Sequence, residues 1–210
     1  MQSCHSRHTR PVRWDNLFDD LSIQFDAGLE EDARRAALDD ERLRQSRLTL
    51  RERLIALTAS WEAGERLALE LATGDRLELV PVECGADWIG ADLVGPARRF
   101  ASCIIPLAGI AGLLLTPAQV ERSLTPMTER PSALARRLGL PIALRDLARR
   151  RLSCEVTTRI GAIHGTIDRV GRDHLDLAVH DSDAPRRRDE IRVTRLIPLD
   201  DVTLVRIRPA

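Results

Sequence analysis

Two short segments decide the fold: R-V-G-R-D-H-L-D-L, Arg169 to Leu177, and I-P-L-D-D-V, Ile197 to Val202. An earlier copy of this pair stands in the same chain, as E-C-G-A-D-W-I-G-A from Glu83 and I-P-L-A-G-I from Ile105. Each copy holds a glycine turn, an aspartate and a hydrophobic strand segment. The sequence therefore predicts an internal repeat of small β-structured units.

Two offsets relate the copies. Gly85 and Gly171 lie 86 positions apart, and this offset also superposes the aspartates two positions later. Ile105 and Ile197 lie 92 positions apart, so the later copy is longer by six residues. We place these residues in the polar segment 181–190, because length differences between repeats belong in loops. The glycines are predicted to occupy equivalent tight turns, and the isoleucines equivalent strand starts.

Composition excludes several classes of protein. The 210 residues carry a formal net charge of zero, so nothing global indicates binding to nucleic acid or to a membrane surface. The longest apolar run, 104–115, contains a proline and two glycines and is too short to cross a bilayer. The first residues lack the apolar core of a signal peptide. We therefore expect a cytoplasmic protein without a membrane span.

The predicted organisation is an α+β chain of two tandem modules, each a helix followed by a small β-barrel of about five strands, behind an acidic helical arm. Its segments are a disordered tail (1–13), the acidic amphipathic arm (14–47), the first module (48–120), a linker with two short helices (121–150) and the second module (151–210).

The arm is predicted from a helical stripe of large apolar side chains. Its members, at helical spacing, are Trp14, Leu17, Phe18, Leu21 and Phe25. Aspartates fill the opposite face. Such a helix either docks in a groove of a partner protein or folds back over its own barrels, and the sequence leaves both open.

Capping residues and strand alternation predict the elements of each module. Thr49 and Glu52 form a capping box that starts a helix with an apolar stripe ending at Trp61. Between the modules, Gly139 suits a helix end and Pro141 the first position of the next helix. The strand phase of the second module predicts four inward-pointing side chains: Val156, Ile167, Leu175 and Leu177.

A helix followed by a bent antiparallel sheet resembles the Sm-like fold and its SH3-like relatives. The first motif of Sm-like proteins has a Gly, an Asp and, three residues later, an Asn; Gly165, Asp173 and Asp176 stand near those places. The Arg-Gly of the second motif is replaced by Ile197 to Leu199 and by Ile105 to Leu107. The resemblance implies the fold more than it implies RNA binding.

The whole chain also resembles a group of uncharacterised actinobacterial proteins. Trp14 to Leu21 and Gly165 to Leu177 carry this likeness, which implies no established activity. Such proteins attract labels as transcriptional regulators, because Ala133 to Pro141 looks like the first helix and turn of a helix-turn-helix unit. Only about 20 residues separate the modules, which leaves no third helix to bury that pair.

No sequence motif for a catalytic site, a cofactor or a structural metal occurs, so we expect a protein that is not an enzyme. Three histidines, His164, His174 and His180, are the candidate metal ligands of the repeat, although His174 superposes on Trp88 and packing is the favoured interpretation. Cys4, His5 and His8 form a weaker candidate in the tail. The other cysteines, Cys84, Cys103 and Cys154, read as reduced, buried thiols.

Aspartates and arginines supply the remaining candidates. Asp87 and Asp173 are either a paired acid site or caps of their own turns. The arginines between the modules are the candidate phosphate contacts: Arg136, Arg137, Arg145, Arg149, Arg150 and Arg151.

We predict a non-enzymatic adaptor that binds an unidentified protein partner through the arm and the barrels. The alternative is a regulatory protein that binds RNA or DNA, and the oligomeric state, including a homo-oligomer, stays open.

Overall fold

The computed structural model describes residues 14–95, 102–127, 137–180 and 193–208, with side chains from residue 21 onward. The chain divides into two compact units, residues 1–48 and residues 49–210. The predicted tail 1–13 and the predicted insertion 181–190 lie outside the described residues.

The first unit contains one long helix, α1 (Trp14–Ser46). Its bounds agree with the predicted arm. The helix continues through Gly28, where the sequence indicates a weak point, since a glycine in a helix interior costs only about 1 kcal/mol relative to alanine. Two ion pairs, Glu30–Arg34 and Glu31–Arg35, stabilise the turns that follow it.

The second unit begins with a helix and five strands. These are α2 (Leu50–Ala59), β1 (Leu67–Leu71), β2 (Arg76–Cys84), β3 (Trp88–Leu93), β4 (Ser102–Pro106) and β5 (Ile110–Leu114), followed by α3 (Pro117–Leu124). The predicted capping box starts α2: the Thr49 side chain accepts from the Glu52 backbone, and the Glu52 carboxylate accepts from the Thr49 backbone. The helix ends before Trp61, because the backbone N–H of Ser60 bonds back to Ala56 and Leu57.

The second half of this unit repeats that order. It consists of α4 (Leu140–Arg150), β6 (Ser153–Thr158), β7 (Gly161–Val170), β8 (His174–Val179), β9 (Val193–Pro198) and β10 (Val202–Ile207). Gly139 is the N-cap of α4, and Pro141 lies in its first turn, as predicted. The helix that was predicted to end at Gly139 falls mainly on residues outside the described part. The predicted linker boundaries at 120 and 150 fall inside α3 and at the end of α4.

All ten strands form one antiparallel sheet in the order β5-β1-β2-β3-β4-β10-β6-β7-β8-β9. The α+β class is therefore correct. Two separate barrels are not confirmed, because the sheet is open and continuous across both halves. Within each half the order is the same, the fifth strand pairing with the first, and the halves join where β4 pairs with β10.

The two predicted glycine turns are equivalent, as expected. The Gly85 N–H donates to the carbonyl of Trp88 at 2.9 Å, and the Gly171 N–H donates to that of His174 at 2.8 Å. A Cβ at either glycine would clash with the Trp88 or His174 ring that covers it. Only glycine lets the ring lie over the turn.

The pairing registers repeat as well. Trp88 and Ile89 pair with Pro106 and Ile105, and the second half pairs the superposed residues in the same way. Ile105 and Ile197 lie near strand ends, so the expectation that they start strands is wrong. The chain turns there because a proline follows each, and a short 3-10 helix begins after it, Leu107–Gly109 and Leu199–Asp201.

Irregularities of the strands occupy the same places in both halves. An extra residue bulges from β2 at Val82 and from β7 at Asp168, 86 positions later. Another bulges from β5 at Ala111 and from β10 at Thr203, 92 positions later. Because bulges bend a strand locally and increase its twist, the two halves bend at equivalent points, and the offsets found in the sequence are confirmed.

Two hydrophobic cores lie on the sheet and share residues across the junction. The second core includes Val156, Ile167, Leu175 and Leu177, all buried as predicted. It also takes in Trp88 and Ile104 from the first half. The first core takes in Leu204 from β10. Each half thus completes its core with side chains from the other.

Candidate functional site

The apolar stripe of α1 is exposed where its side chains are described. Leu21 and Phe25 are 52% and 72% exposed, and Leu29 continues the stripe one turn further. Positions four residues apart lie on one face of a helix. Trp14, Leu17 and Phe18 belong to the same helix, but their side chains lie outside the described part. Leu21, Phe25 and Leu29 are thus exposed apolar side chains on one face of α1.

Ion pairs between residues 30 and 44 stabilise the C-terminal half of α1. Arg35 binds Glu31 at 2.5 Å and Asp32 at 3.1 Å, and similar pairs follow at Asp39–Arg42 and Glu41–Arg44. Pairs at this spacing contribute about 0.2–0.5 kcal/mol each to an isolated helix. Hydrogen bonds from Arg44 and Gln45 lower the pKa of Glu41 to about 2. The helix is thus supported along its own surface.

The junction of the two halves is fixed by the start of α4. The backbone N–H of Leu140 donates to Asp87 at 2.7 Å, and both Ala86 N–H and Trp88 Nε1 donate to the carbonyl of Leu138 at 2.9 Å. Asp87 therefore caps the helix of the other half, and the expectation that it caps its own turn is wrong. No sequence pattern predicts this contact, because 53 positions separate the partners.

Asp173, the counterpart of Asp87, has a different partner. Its carboxylate lies 2.8 Å from His174 Nδ1, and this hydrogen bond lowers the pKa of Asp173. Both aspartates line one groove of about 380 Å³ together with Arg172 and Asp200. The two aspartates considered above as a paired acid site thus lie at the same groove. Asp87 is engaged by the helix N-terminus, so it is not a free carboxylate there.

A second groove of about 400 Å³ lies between α4 and strands β2 to β4. Carboxylates line it from three elements: Glu83, Asp92 and Asp146. Exposed apolar side chains, Val82 and Ile142, lie at the same groove. Arg150 also lines the groove and pairs with Asp146, so Glu83 and Asp92 are the carboxylates that a docking segment with apolar and basic side chains would meet. Sequence reasoning missed this groove because it forms only when the two halves join.

The predicted phosphate contacts are largely engaged within the chain. Arg145 donates to the carbonyls of Val170 and Gly171 at 3.3 and 3.1 Å. Arg149 and Arg150 both bind Asp146, at 2.5 and 2.7 Å. Arg151 ends α4 in the left-handed conformation, with φ 53°. Arg137 is exposed before α4, and Arg136 lies outside the described residues. Of the predicted arginines that the structure describes, Arg145, Arg149 and Arg150 are therefore bound within the chain.

The three candidate histidines separate into two places. The rings of His164 and His180 meet edge to face with centroids 5.4 Å apart. Nε2 of His164 shares a hydrogen bond of 3.0 Å with the Ser153 hydroxyl, and Nε2 of His180 shares one of 3.0 Å with the Thr166 hydroxyl. His174 lies at the turn beside Asp173. Within the described ranges, no group of three potential ligands lies close enough to hold a metal ion. The candidate in the tail, Cys4 with His5 and His8, lies outside them.

The three described cysteines are free thiols. Cys103 and Cys154 are buried, and burial raises the pKa of both thiols to about 12. Burial also raises the pKa of the half-buried Cys84. A raised pKa keeps the thiol protonated and unreactive at neutral pH, in agreement with the predicted packing role.

The chain matches no protein-family model, no curated protein and no solved structure. No helix among the described residues is long and apolar enough to span a membrane.

Proposed function

We propose that this chain is a non-enzymatic adaptor that binds a protein partner through the apolar stripe of α1. The observation that carries the proposal is the exposure of Leu21, Phe25 and Leu29 along one face of a helix with its own ion pairs. A helix that presents large apolar side chains at this spacing fits a hydrophobic groove of another protein. Aromatic anchors such as Phe25 contribute most where they are fully desolvated in the complex.

We further propose that each half of residues 49–210 is an Sm/SH3-like module. The strand order within each half, the preceding helix and the repeated bulges support this assignment. The groove between α4 and strands β2 to β4, where Glu83 and Asp92 supply carboxylates beside Val82 and Ile142, offers a second contact for the same partner, provided that its docking segment carries basic and apolar side chains. Cytoplasmic location is part of this proposal.

Three points support the adaptor over the nucleic-acid alternative. The net charge is zero. Arg145, Arg149 and Arg150 are bound by carbonyls or by a carboxylate of the same chain. Finally, the exposed carboxylate of Asp173 lies at the groove beside the junction, and its negative charge repels phosphate.

Capture experiments with two matched variants of the full chain test the proposal. Phe25→Ala removes a side chain from the stripe, whereas Ile23→Ala removes one of 66% exposure from the opposite face. A partner identified with the wild-type chain is purified and titrated against all three proteins. We expect Phe25→Ala to weaken binding about thirtyfold, as for an interface hot spot of about 2 kcal/mol, and Ile23→Ala to leave it unchanged. Trp14→Ala should act like Phe25→Ala.

Thermal unfolding of the same variants separates the two uses of the arm. Docking in trans predicts that Phe25→Ala leaves the melting temperature of the isolated protein unchanged. A melting temperature lowered by several degrees, with partner binding retained, would assign the stripe to packing on the chain's own sheet and would refute the proposed function.

A further inference from the structure

The two edge strands of the sheet are β5 and β9. In the repeat they correspond to β10 and β4, the two strands that join the halves. At the junction, β4 of the first half pairs with β10 of the second. The repeat superposes β4 on β9 and β5 on β10, with the offset of 92 in both cases. Among the described strands, β9 and β5 are the two that pair on one side only. The unpaired edges of β9 and β5 therefore correspond to the edges of β4 and β10, which pair with each other inside the chain.

The junction register can be transferred to these edges residue by residue. Within the chain, Val205 pairs with Ile104, Arg206 with Cys103 and Ile207 with Ser102. Applying the offset of 92 to both strands gives the corresponding pairs between β5 and β9: Leu113 with Leu196, Leu114 with Arg195, and Leu115 with Thr194. No like charges oppose each other in this register, and its first pair is aliphatic on both sides.

Burial shows what the outer edges lack. Ile104, on β4, is 6% exposed at the junction, whereas its counterpart Leu196, on β9, is 64% exposed. The same contrast holds for the helices: Leu140, at the start of α4, is 5% exposed beside Trp88, and Leu50, at the start of α2, is 39% exposed. Large aliphatic side chains thus occupy positions that the junction buries and the outer edges leave in solvent.

We propose that copies of this chain associate head to tail, with β9 of one copy pairing with β5 of the next in the register of the internal junction. An unpaired, apolar edge strand is a template for pairing with another chain. A second copy is the occupant that fits, because the chain itself contains the complementary edge with the matching register. The inference does not depend on the partner of α1.

The proposed contact is heterologous, since two different edges meet. Such contacts generate closed rings when the rotation between copies closes and open filaments when it does not. Blocking either edge of every copy must therefore stop assembly, because each contact uses one edge of each kind. Two chains blocked at different edges must still pair with each other once.

Sedimentation velocity of the full chain over a wide concentration range tests this inference. We expect wild-type protein to sediment as species larger than the 23.5 kDa monomer. Leu196→Lys places a charge where the junction buries an isoleucine and should abolish self-association. Leu114→Arg places a cation opposite Arg195 and should weaken self-association about fivefold, because like charges directly opposite each other destabilise a strand pair by up to about 1 kcal/mol.

Two controls and one mixture make the test specific. Leu114→Glu puts an opposite charge across from Arg195 and should retain assembly, and Ile23→Lys, at an exposed site on the face of α1 opposite the stripe, should do the same. A mixture of the Leu196→Lys and Leu114→Arg chains should yield a one-to-one dimer that does not grow further.

Three results would overturn the inference. Wild-type protein could remain a monomer at every concentration. Both edge variants could assemble like the wild type, which would assign association to another surface such as α1. Finally, the Leu114→Arg chain could dimerise by itself as tightly as the wild type, which would show that β9 pairs with β9 of another copy.

Discussion

Replacing Leu175 by alanine empties part of the second core. The Leu175 side chain is fully buried and pairs across the sheet with Val170 on β7 and Ile197 on β9. Both neighbours belong to strands of the same sheet, so the backbone around the site is held on two sides. Partial collapse around the shortened side chain is therefore restricted.

The expected cost follows from this restriction. Buried leucine-to-alanine changes cost about 2–5 kcal/mol, and the upper part of that range applies where the surroundings cannot relax. We expect about 4 kcal/mol for Leu175→Ala. In a chain of this length, that loss lowers the melting temperature by about 8–16 °C.

Urea unfolding followed by circular dichroism measures the free energy of unfolding, with Leu196→Ala as the matched control. Leu196 lies on the neighbouring strand β9 and is exposed. Leu196→Ala removes the same atoms as Leu175→Ala, but it should change the free energy of unfolding by less than about 0.5 kcal/mol at low protein concentration. Equal effects of the two substitutions, or a loss of less than about 0.5 kcal/mol for Leu175→Ala, would refute the assigned strand phase.

Three further predictions concern the junction, a buried thiol and the arginines. Asp87→Ala should cost about 1 kcal/mol, the usual value of a helix N-cap, whereas Asp173→Ala should cost almost nothing, as compared by urea unfolding. Burial raises the pKa of the Cys103 thiol from its ordinary value of 9.0 to about 12. Between these two values the thiol is ionised in the unfolded chain but protonated in the folded one. The free energy of unfolding should therefore fall by about 1.4 kcal/mol for each pH unit of increase in this range. Cys103→Ala should remove that part of the slope in unfolding measured from pH 8 to 11. Filter binding of RNA and duplex DNA to the full chain should show no affinity that falls with salt, since Arg145 and its neighbours are bound internally; a steep salt dependence that Arg145→Ala reduces would contradict this.

Local patterns were sufficient to predict the repeat and its buried residues. Gly85 and Gly171 are visible in the sequence because a ring covers each turn and leaves room for no Cβ. Leu175 and Leu177 follow from strand alternation, and the start of α2 follows from Thr49 and Glu52. These features depend on neighbours within a few positions or on the comparison of two copies.

The joining of the halves could not be predicted in this way. The pairing of Ile104 with Val205 spans about half of the chain and leaves no periodic signal in either strand. The same holds for the cap of α4 by Asp87 and for the groove beside it. The sequence also indicated the arginines of α4 as a group, but it could not show that Asp146 and two carbonyls bind them.

A new thiol at the junction tests whether β4 and β10 join the two halves into one sheet. Cys103 on β4 lies directly opposite Arg206 on β10, and residues paired in this way have Cβ atoms about 4.5–5.5 Å apart, somewhat beyond the usual Cβ separation of a disulfide. Mild oxidation of the folded Arg206→Cys chain, followed by peptide mapping, should therefore identify a disulfide between position 206 and Cys103, which closes with a small local adjustment. The Cys103→Ala, Arg206→Cys chain should not form it. A thiol at position 206 that remains free under these conditions, or that bonds only to Cys84, would contradict the edge-to-edge junction.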